Sequence, residues 1–240
     1  MSASQARAAP RLEALADDAW LLHFGPGTVP GQAPVRENPD LRTNLRVHAL
    51  CARLRAGPAW VGDVVPAYAS LALFFDPGRV SAETAAEWLL RQALGCMGEE
   101  DETAPTSRIV EVPVQYGGDA GPDLQSSAEE LGMTPDELVR RHAAGEYTVA
   151  MIGFAPGFPY LLGMDPALAM PRLATPRPRV PAGSVGIGGA QTGVYPRESP
   201  GGWRLLGRTP LALFDAGRET PSLLAPGDRV RFVPIATEHT

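Results

Sequence analysis

The 240-residue chain contains no lysine: all 21 of its basic residues are arginine. That absence excludes several chemistries at once. A Walker A loop needs its lysine on the nucleotide phosphates, a Schiff-base enzyme needs an amine, and biotin or lipoyl attachment needs a lysine side chain. No covalent cofactor is therefore expected, and a carboxylate or phosphate must be held by arginine, backbone N–H groups or a metal ion. The two cysteines, Cys51 and Cys96, are isolated from each other and from any Cys/His cluster. Neither a disulfide framework nor a zinc site is expected, and no metal ligands are assigned. No apolar run approaches the roughly 20 residues that span a bilayer, and the first twenty residues lack a continuous apolar core. We expect a cytoplasmic protein with no membrane association. A net charge of −6 supplies no basic face to displace counterions from phosphates, so nucleic acid is not an expected partner.

What is present is the composition of a folded protein, 44% hydrophobic and 20% charged, long enough for two ordinary domains. Residues 1–10 read as a flexible tail and 11–97 as a two-layer α+β domain. In it, DDAWLLHF (17–24) reads as a strand. Asn38 and Pro39 look like the cap and first position of a helix that ends at Gly57. VGDVVPAY and SLALFFD are short strands, and Ser81 opens a second helix. GEEDETAPTS (98–107) is acidic and lacks apolar periodicity, which suggests a linker. From 108 to 240 the pattern becomes mainly β. EVPVQYGG enters a glycine turn, Asp123 is placed to cap a short helix, and Thr134-Pro135-Asp136-Glu137 is a strong helix start. Tyr147 to Phe154 then reads as a strand. Residues 153–203 hold 10 Gly and 9 Pro, which rules out long helices and points to short strands closing a β-barrel. RVPAGSVGIG, TGVYP, WRLLGRTPLALFD and DRVRFVPI are the candidate strands.

Chemistry concentrates in the same stretch. GFAPGFPY (153–160) alternates backbone punctuation with rings, and Phe154, Pro156, Gly157, Phe158 and Tyr160 are expected to form a rigid apolar pocket wall. Arg177 and Arg179 sit among prolines that preorganise their guanidinium forks for an anion. AGSVGIGGAQTGVYP offers converging N–H groups without the strand–helix context of a dinucleotide fingerprint. Gln191, Thr192 and Tyr195 add amide and hydroxyl groups that orient a polar ligand. Glu198 is the candidate general base. His142, at a predicted helix end where the dipole favours a protonated ring, is the second candidate catalytic residue. No nucleophilic triad is supported.

VPVQYGGDAGPDL (112–124), VAMIGFAPGFPYLLGMD (149–165), the long run from Pro171 to Asp215 and PGDRVRFVPI (226–235) resemble the family that contains the 5-oxoprolinase B subunit, the kinase inhibitor KipI and allophanate hydrolase subunit 1. VVPAYASLALFFDP (64–77) extends the likeness more loosely. The resemblance implies an N-terminal α+β domain followed by a cyclophilin-like β-barrel. It also implies a companion subunit with a related barrel and a separate metal-binding subunit. The activity implied is ATP-dependent hydrolysis of 5-oxo-L-proline to L-glutamate, with Mg accompanying ATP and the site completed by partner subunits. Arg177, Arg179 and Ser184 match the family's TPR-x-R-VPAGS segment. Two other functions occur within the family: a KipI-like inhibitor of a histidine kinase, and a small subunit of an allophanate hydrolase or urea carboxylase complex. Prolyl isomerisation, suggested by the barrel alone, ranks last.

Overall fold

The computed structural model describes residues 10–24, 41–96 and 108–236. The helix start expected at Asn38-Pro39, the tail and the acidic linker lie outside them. The chain divides into two compact units, residues 1–104 and 105–240.

In the first unit, β1 (Arg11–Ala16) turns at Asp17-Asp18 into β2 (Ala19–His23), followed by α1 (Leu41–Arg55), β3 (Val61–Pro66), β4 (Ser70–Phe75) and α2 (Ala82–Cys96). The strands form an antiparallel sheet in the order β1-β2-β4-β3. SLALFF alternates as a half-buried strand should: Leu71, Leu73 and Phe75 point inward. Leu71 and Leu73 meet Val47, Leu50, Cys51 and Leu54, which the 3.6-residue period gathers on one face of α1, together with Leu89 and Ala93 of α2. Ser81 caps α2 by accepting the Thr84 N–H at 3.2 Å. Burial raises the Cys51 thiol to about 11, so it packs as a small apolar group. RLEALA is a strand although its Leu, Glu and Ala favour helix; pairing with β2 overrides that propensity.

The second unit begins with β5 (Ile109–Tyr116), α3 (Leu124–Glu130) and α4 (Pro135–Ala144). The remaining strands are β6 (Tyr147–Ile152), β7 (Pro159–Leu162), β8 (Arg177–Val180), β9 (Ser184–Gly188), β10 (Gln191–Val194), β11 (Ser199–Gly201), β12 (Arg204–Arg208) and β13 (Arg229–Pro234). Seven of them close a barrel in the order β10-β7-β6-β13-β5-β12-β9, and β8 and β11 form a separate two-stranded ribbon. Every barrel pair is antiparallel except β13 with β5, which run parallel. Val112, Val114, Val149, Leu161, Ile187, Leu206 and Phe232 fill the core. Thr134 caps α4 as its sequence predicts, accepting the Glu137 N–H at 3.2 Å. Several expected strands are shorter than their patterns; DDAWLLHF (17–24) begins as a turn and is extended only over Ala19–His23. The strand at 147–154 stops at Ile152, and LALFD leaves the sheet, its Phe214 making only an isolated bridge to Ser222. Among the described residues no helix is long and apolar enough to cross a membrane.

Candidate functional site

GFAPGFPY spans the hairpin loop between β6 and β7, residues 153–158, and the first two residues of β7. The Gly153 N–H donates to the Phe158 carbonyl at 3.1 Å and the Phe158 N–H to the Ala155 carbonyl at 3.0 Å, so the loop folds back on itself. Gly157 has φ of +79°, and a Cβ there would stand 2.8 Å from that of Phe214; only glycine fits. Phe154 is the one described non-glycine residue with positive φ, 64°, and it is 62% exposed. Such a conformation costs about 1–3 kcal/mol.

Beneath it lies an aromatic cluster. Phe158 is 1% exposed, with Tyr160, Tyr195 and Trp203 at ring-centroid distances of 4.9, 5.2 and 5.5 Å. Phe154 meets Phe158 edge-on at 5.4 Å, and the Arg172 guanidinium lies 5.9 Å from the Trp203 ring. Gly188 makes room for the indole, because a Cβ at that position would come within 2.5 Å of it. The expected apolar wall therefore needs a correction. Phe158 and Gly157 are buried supports, and the surface is presented by Phe154 and Pro156, with Tyr160 half-buried.

The TPRPRVP segment forms β8 and pairs with β11, Arg177 opposite Gly201 and Val180 opposite Ser199. This ribbon brings Arg179 beside Glu198, Nε to Oε1 3.8 Å, with both side chains well exposed. Glu198 is thus an open-surface carboxylate with a cationic neighbour. Arg177 instead reaches inward, its Nη2 donating to Asp123 Oδ1 at 2.7 Å. Asp123 does not cap α3: its side chain makes no cap bond, and its other oxygen accepts the Leu205 N–H at 2.7 Å. Asp123, Arg172 and Trp203 are members of this neighbourhood that sequence reasoning did not single out. The Asp-before-helix pattern pointed to a cap, and nothing local marks a carboxylate that reaches across to another strand.

His142 lies in the barrel interior, 0% exposed and stacked on Phe232 at 4.7 Å. Its hydrogen bonds fix its tautomer. The Thr192 hydroxyl spends its one proton on the Gly186 carbonyl at 3.0 Å, so it must accept from His142 Nε2–H at 2.9 Å. Nδ1 then accepts the Tyr116 O–H at 2.8 Å. The Tyr147 hydroxyl donates to the His142 carbonyl at 2.7 Å. Burial pushes the imidazole down to about 3 and raises both tyrosines above their ordinary range. The protonated ring expected at a helix end is therefore replaced by a neutral one; desolvation outweighs the dipole. Thr192 and Ser184 are also 0% exposed. The polar trio does not converge: Thr192 points into the barrel, Tyr195 into the aromatic cluster, and Gln191 stays partly exposed opposite Gly188.

The buried ring makes stability pH-dependent. The unfolded chain takes up a proton on His142 below about 6.5, whereas the folded chain resists protonation down to about 3. Its stabilising contribution is present above pH 6.5 and is lost as pH falls towards 3, about 2 kcal/mol of it by pH 5. Urea unfolding at pH 7 and pH 5 should show this loss in the wild type and a smaller loss in His142→Gln. Equal losses in the two proteins would refute the assignment.

The family model for the carboxyltransferase domain, subdomains C and D, matches residues 10–224. The chain is 41% identical over 237 residues to the 5-oxoprolinase B subunit of Bacillus subtilis, covering 94% of this chain and 93% of that relative. Among solved structures, TTHA0988 aligns with a TM-score of 0.74 at 42% identity over 91% of this chain, which spans 40% of that longer one. The K. lactis urea amidolyase aligns with a TM-score of 0.74 at 20% identity over 94% of this chain and 15% of that one, a likeness of fold alone.

Proposed function

This chain belongs to the carboxyltransferase C and D family, among the 5-oxoprolinase B subunits, and on that premise we propose that it is a subunit of an ATP-dependent 5-oxoprolinase that opens 5-oxo-L-proline to L-glutamate. The observation that carries the reading is the near full-length match to the Bacillus subtilis relative, 94% of one chain against 93% of the other.

The reaction has a clear physical requirement. A lactam carbonyl is a poor electrophile, so ATP phosphorylates its oxygen before water attacks the carbon, and both substrates carry negative charge. The chain's own part is to hold that charge. Arg177 and Arg179, set on the β8–β11 ribbon, supply guanidinium donors. The Tyr195 hydroxyl lies near Arg177, and the Phe154–Pro156 loop supplies an exposed apolar wall over the aromatic cluster. Glu198 stands beside Arg179 as the candidate base.

Among the described residues no group of three or more His, Cys, Asp or Glu is placed to hold a metal ion. We assign the Mg that accompanies ATP to the phosphates and to partner subunits, a companion barrel subunit and a metal-binding subunit. That this chain's match spans 40% of the TTHA0988 chain supports a protein that works joined to further polypeptide.

The test is co-expression with the products of neighbouring genes. Glutamate and ADP should appear in equal amounts from 5-oxoproline and ATP in the full combination, and neither should appear when this chain is omitted or tested alone. Absence of ATP-coupled glutamate in every combination would sink the reading.

A further inference from the structure

Arg177 is gripped by one edge only. Its Nη2 meets Asp123 Oδ1 at 2.7 Å, with the two side chains 29% and 10% exposed. A carboxylate facing a guanidinium ordinarily closes a two-point fork. Asp123 does not: its second oxygen is turned to the Leu205 N–H at 2.7 Å. Arg177 Nη1 is left buried with no hydrogen-bond partner. Leaving a buried donor unmatched is unfavourable, and here it belongs to a permanent cation.

The surroundings favour an anion. The ribbon sets Arg177 opposite Gly201, and the Tyr195 hydroxyl packs so closely on Gly201 that a Cβ there would collide with it. Arg172 and Arg177 both act electrostatically on that phenol, whose pKa burial raises, and Arg172 acts on Tyr160 as well. Arg172 lies over Trp203 and makes no ion pair among the described residues. Two guanidinium groups thus share this neighbourhood, and Asp123 offsets one of them.

We infer that the free edge of Arg177, with Arg172 and the Tyr195 hydroxyl beside it, is a subsite for a small oxyanion, a carboxylate or a phosphoryl group, and that Asp123 is the positioning residue that aims the guanidinium. The inference deepens the proposed function, on which it rests for the identity of the carboxylate: the free acid group of the lactam. Asp123 ties Arg177 to β12 through Leu205, so the donor direction is set by the barrel wall and not by a flexible side chain.

The test uses the full chain without partners, titrated calorimetrically at constant ionic strength with three probes. These are 5-oxo-L-proline, inorganic phosphate, and pyrrolidinone, the same lactam without its acid group. One or both anions should bind and pyrrolidinone should not. Binding of 5-oxoproline alone assigns the subsite to the carboxylate, and binding of phosphate alone assigns it to a phosphoryl group. Arg177→Lys keeps a cation opposite Asp123 but loses the planar fork, and should weaken anion binding at least tenfold. Asp123→Asn keeps an acceptor for the Leu205 N–H and should weaken binding several-fold with little change in melting temperature.

The sign of that last effect is diagnostic. Removing a negative charge should tighten anion binding if charge alone mattered, so tighter binding in Asp123→Asn overturns the positioning role. The subsite is overturned if neither anion binds the wild type, if pyrrolidinone binds as well as 5-oxoproline, or if Arg177→Lys binds like the wild type. A subsite that behaves as expected in a complex that makes no glutamate removes the proposed function and leaves the inference standing.

Discussion

Replacing His142 with alanine should destabilise the second unit by about 3–5 kcal/mol, a large fraction of the 5–15 kcal/mol by which domains are stable. Two effects add. The imidazole is fully enclosed and stacked on Phe232 at 4.7 Å, so its removal leaves a cavity. The Tyr116 hydroxyl loses the acceptor it holds at 2.8 Å and is left unmatched in the interior. Thr192 keeps its bond to the Gly186 carbonyl when the ring is removed, so no second unmatched hydroxyl is added. The measurement is the urea midpoint of the full chain at pH 7, with Glu198→Gln, an exposed position, as a control that should stay within about 0.5 kcal/mol of wild type. A loss of under 1 kcal/mol in His142→Ala would show that the barrel interior can collapse around the missing ring.

Trp203→Ala should cost a similar amount, about 3–5 kcal/mol. The indole is 5% exposed and within 6.3 Å, centroid to centroid, of Phe158, Tyr160 and Tyr195. It also lies against Gly188 so closely that a Cβ there would approach its ring atoms to 2.5 Å. That contact permits a sharper check. Gly188→Ala should be destabilising by about 1–3 kcal/mol in the wild type through overpacking, and much less so once Trp203 is alanine. A double-mutant cycle with no coupling between the two would refute the packing described.

Both residues show where sequence reading succeeds and where it stops. Elements announced by local chemistry were legible. Thr134 accepts the Glu137 N–H, Ser81 accepts that of Thr84, and the density of Gly and Pro between 153 and 203 marks a barrel. What depends on residues far apart in the chain was not. His142 at a helix end looks the same from its neighbours whether it faces water or Thr192, 50 residues on. Asp123 carries the pattern of a cap, and only the fold sets Arg177, 54 residues away, within reach of its carboxylate. The strand at Arg11–Ala16 was hidden for a related reason. Its side chains prefer helix, and only its neighbour β2 makes it extended.

The parallel pairing of β13 with β5 also governs the order in which the second unit can assemble. Strand β5 has two neighbours, β12 and β13, and both are encoded roughly ninety residues or more after it. During synthesis at about 5–20 residues per second, both of its edges stay open for on the order of ten seconds. An unpaired strand of that length is a template for the wrong partner. The segment IVEVPVQY carries its own protection, because Pro113 removes one ladder donor and Glu111 places a charge on the strand. Replacing both with valine would leave the finished barrel's wall apolar and continuous while making the waiting strand adhesive, so the residues that look least suited to β5 are the ones that let it wait.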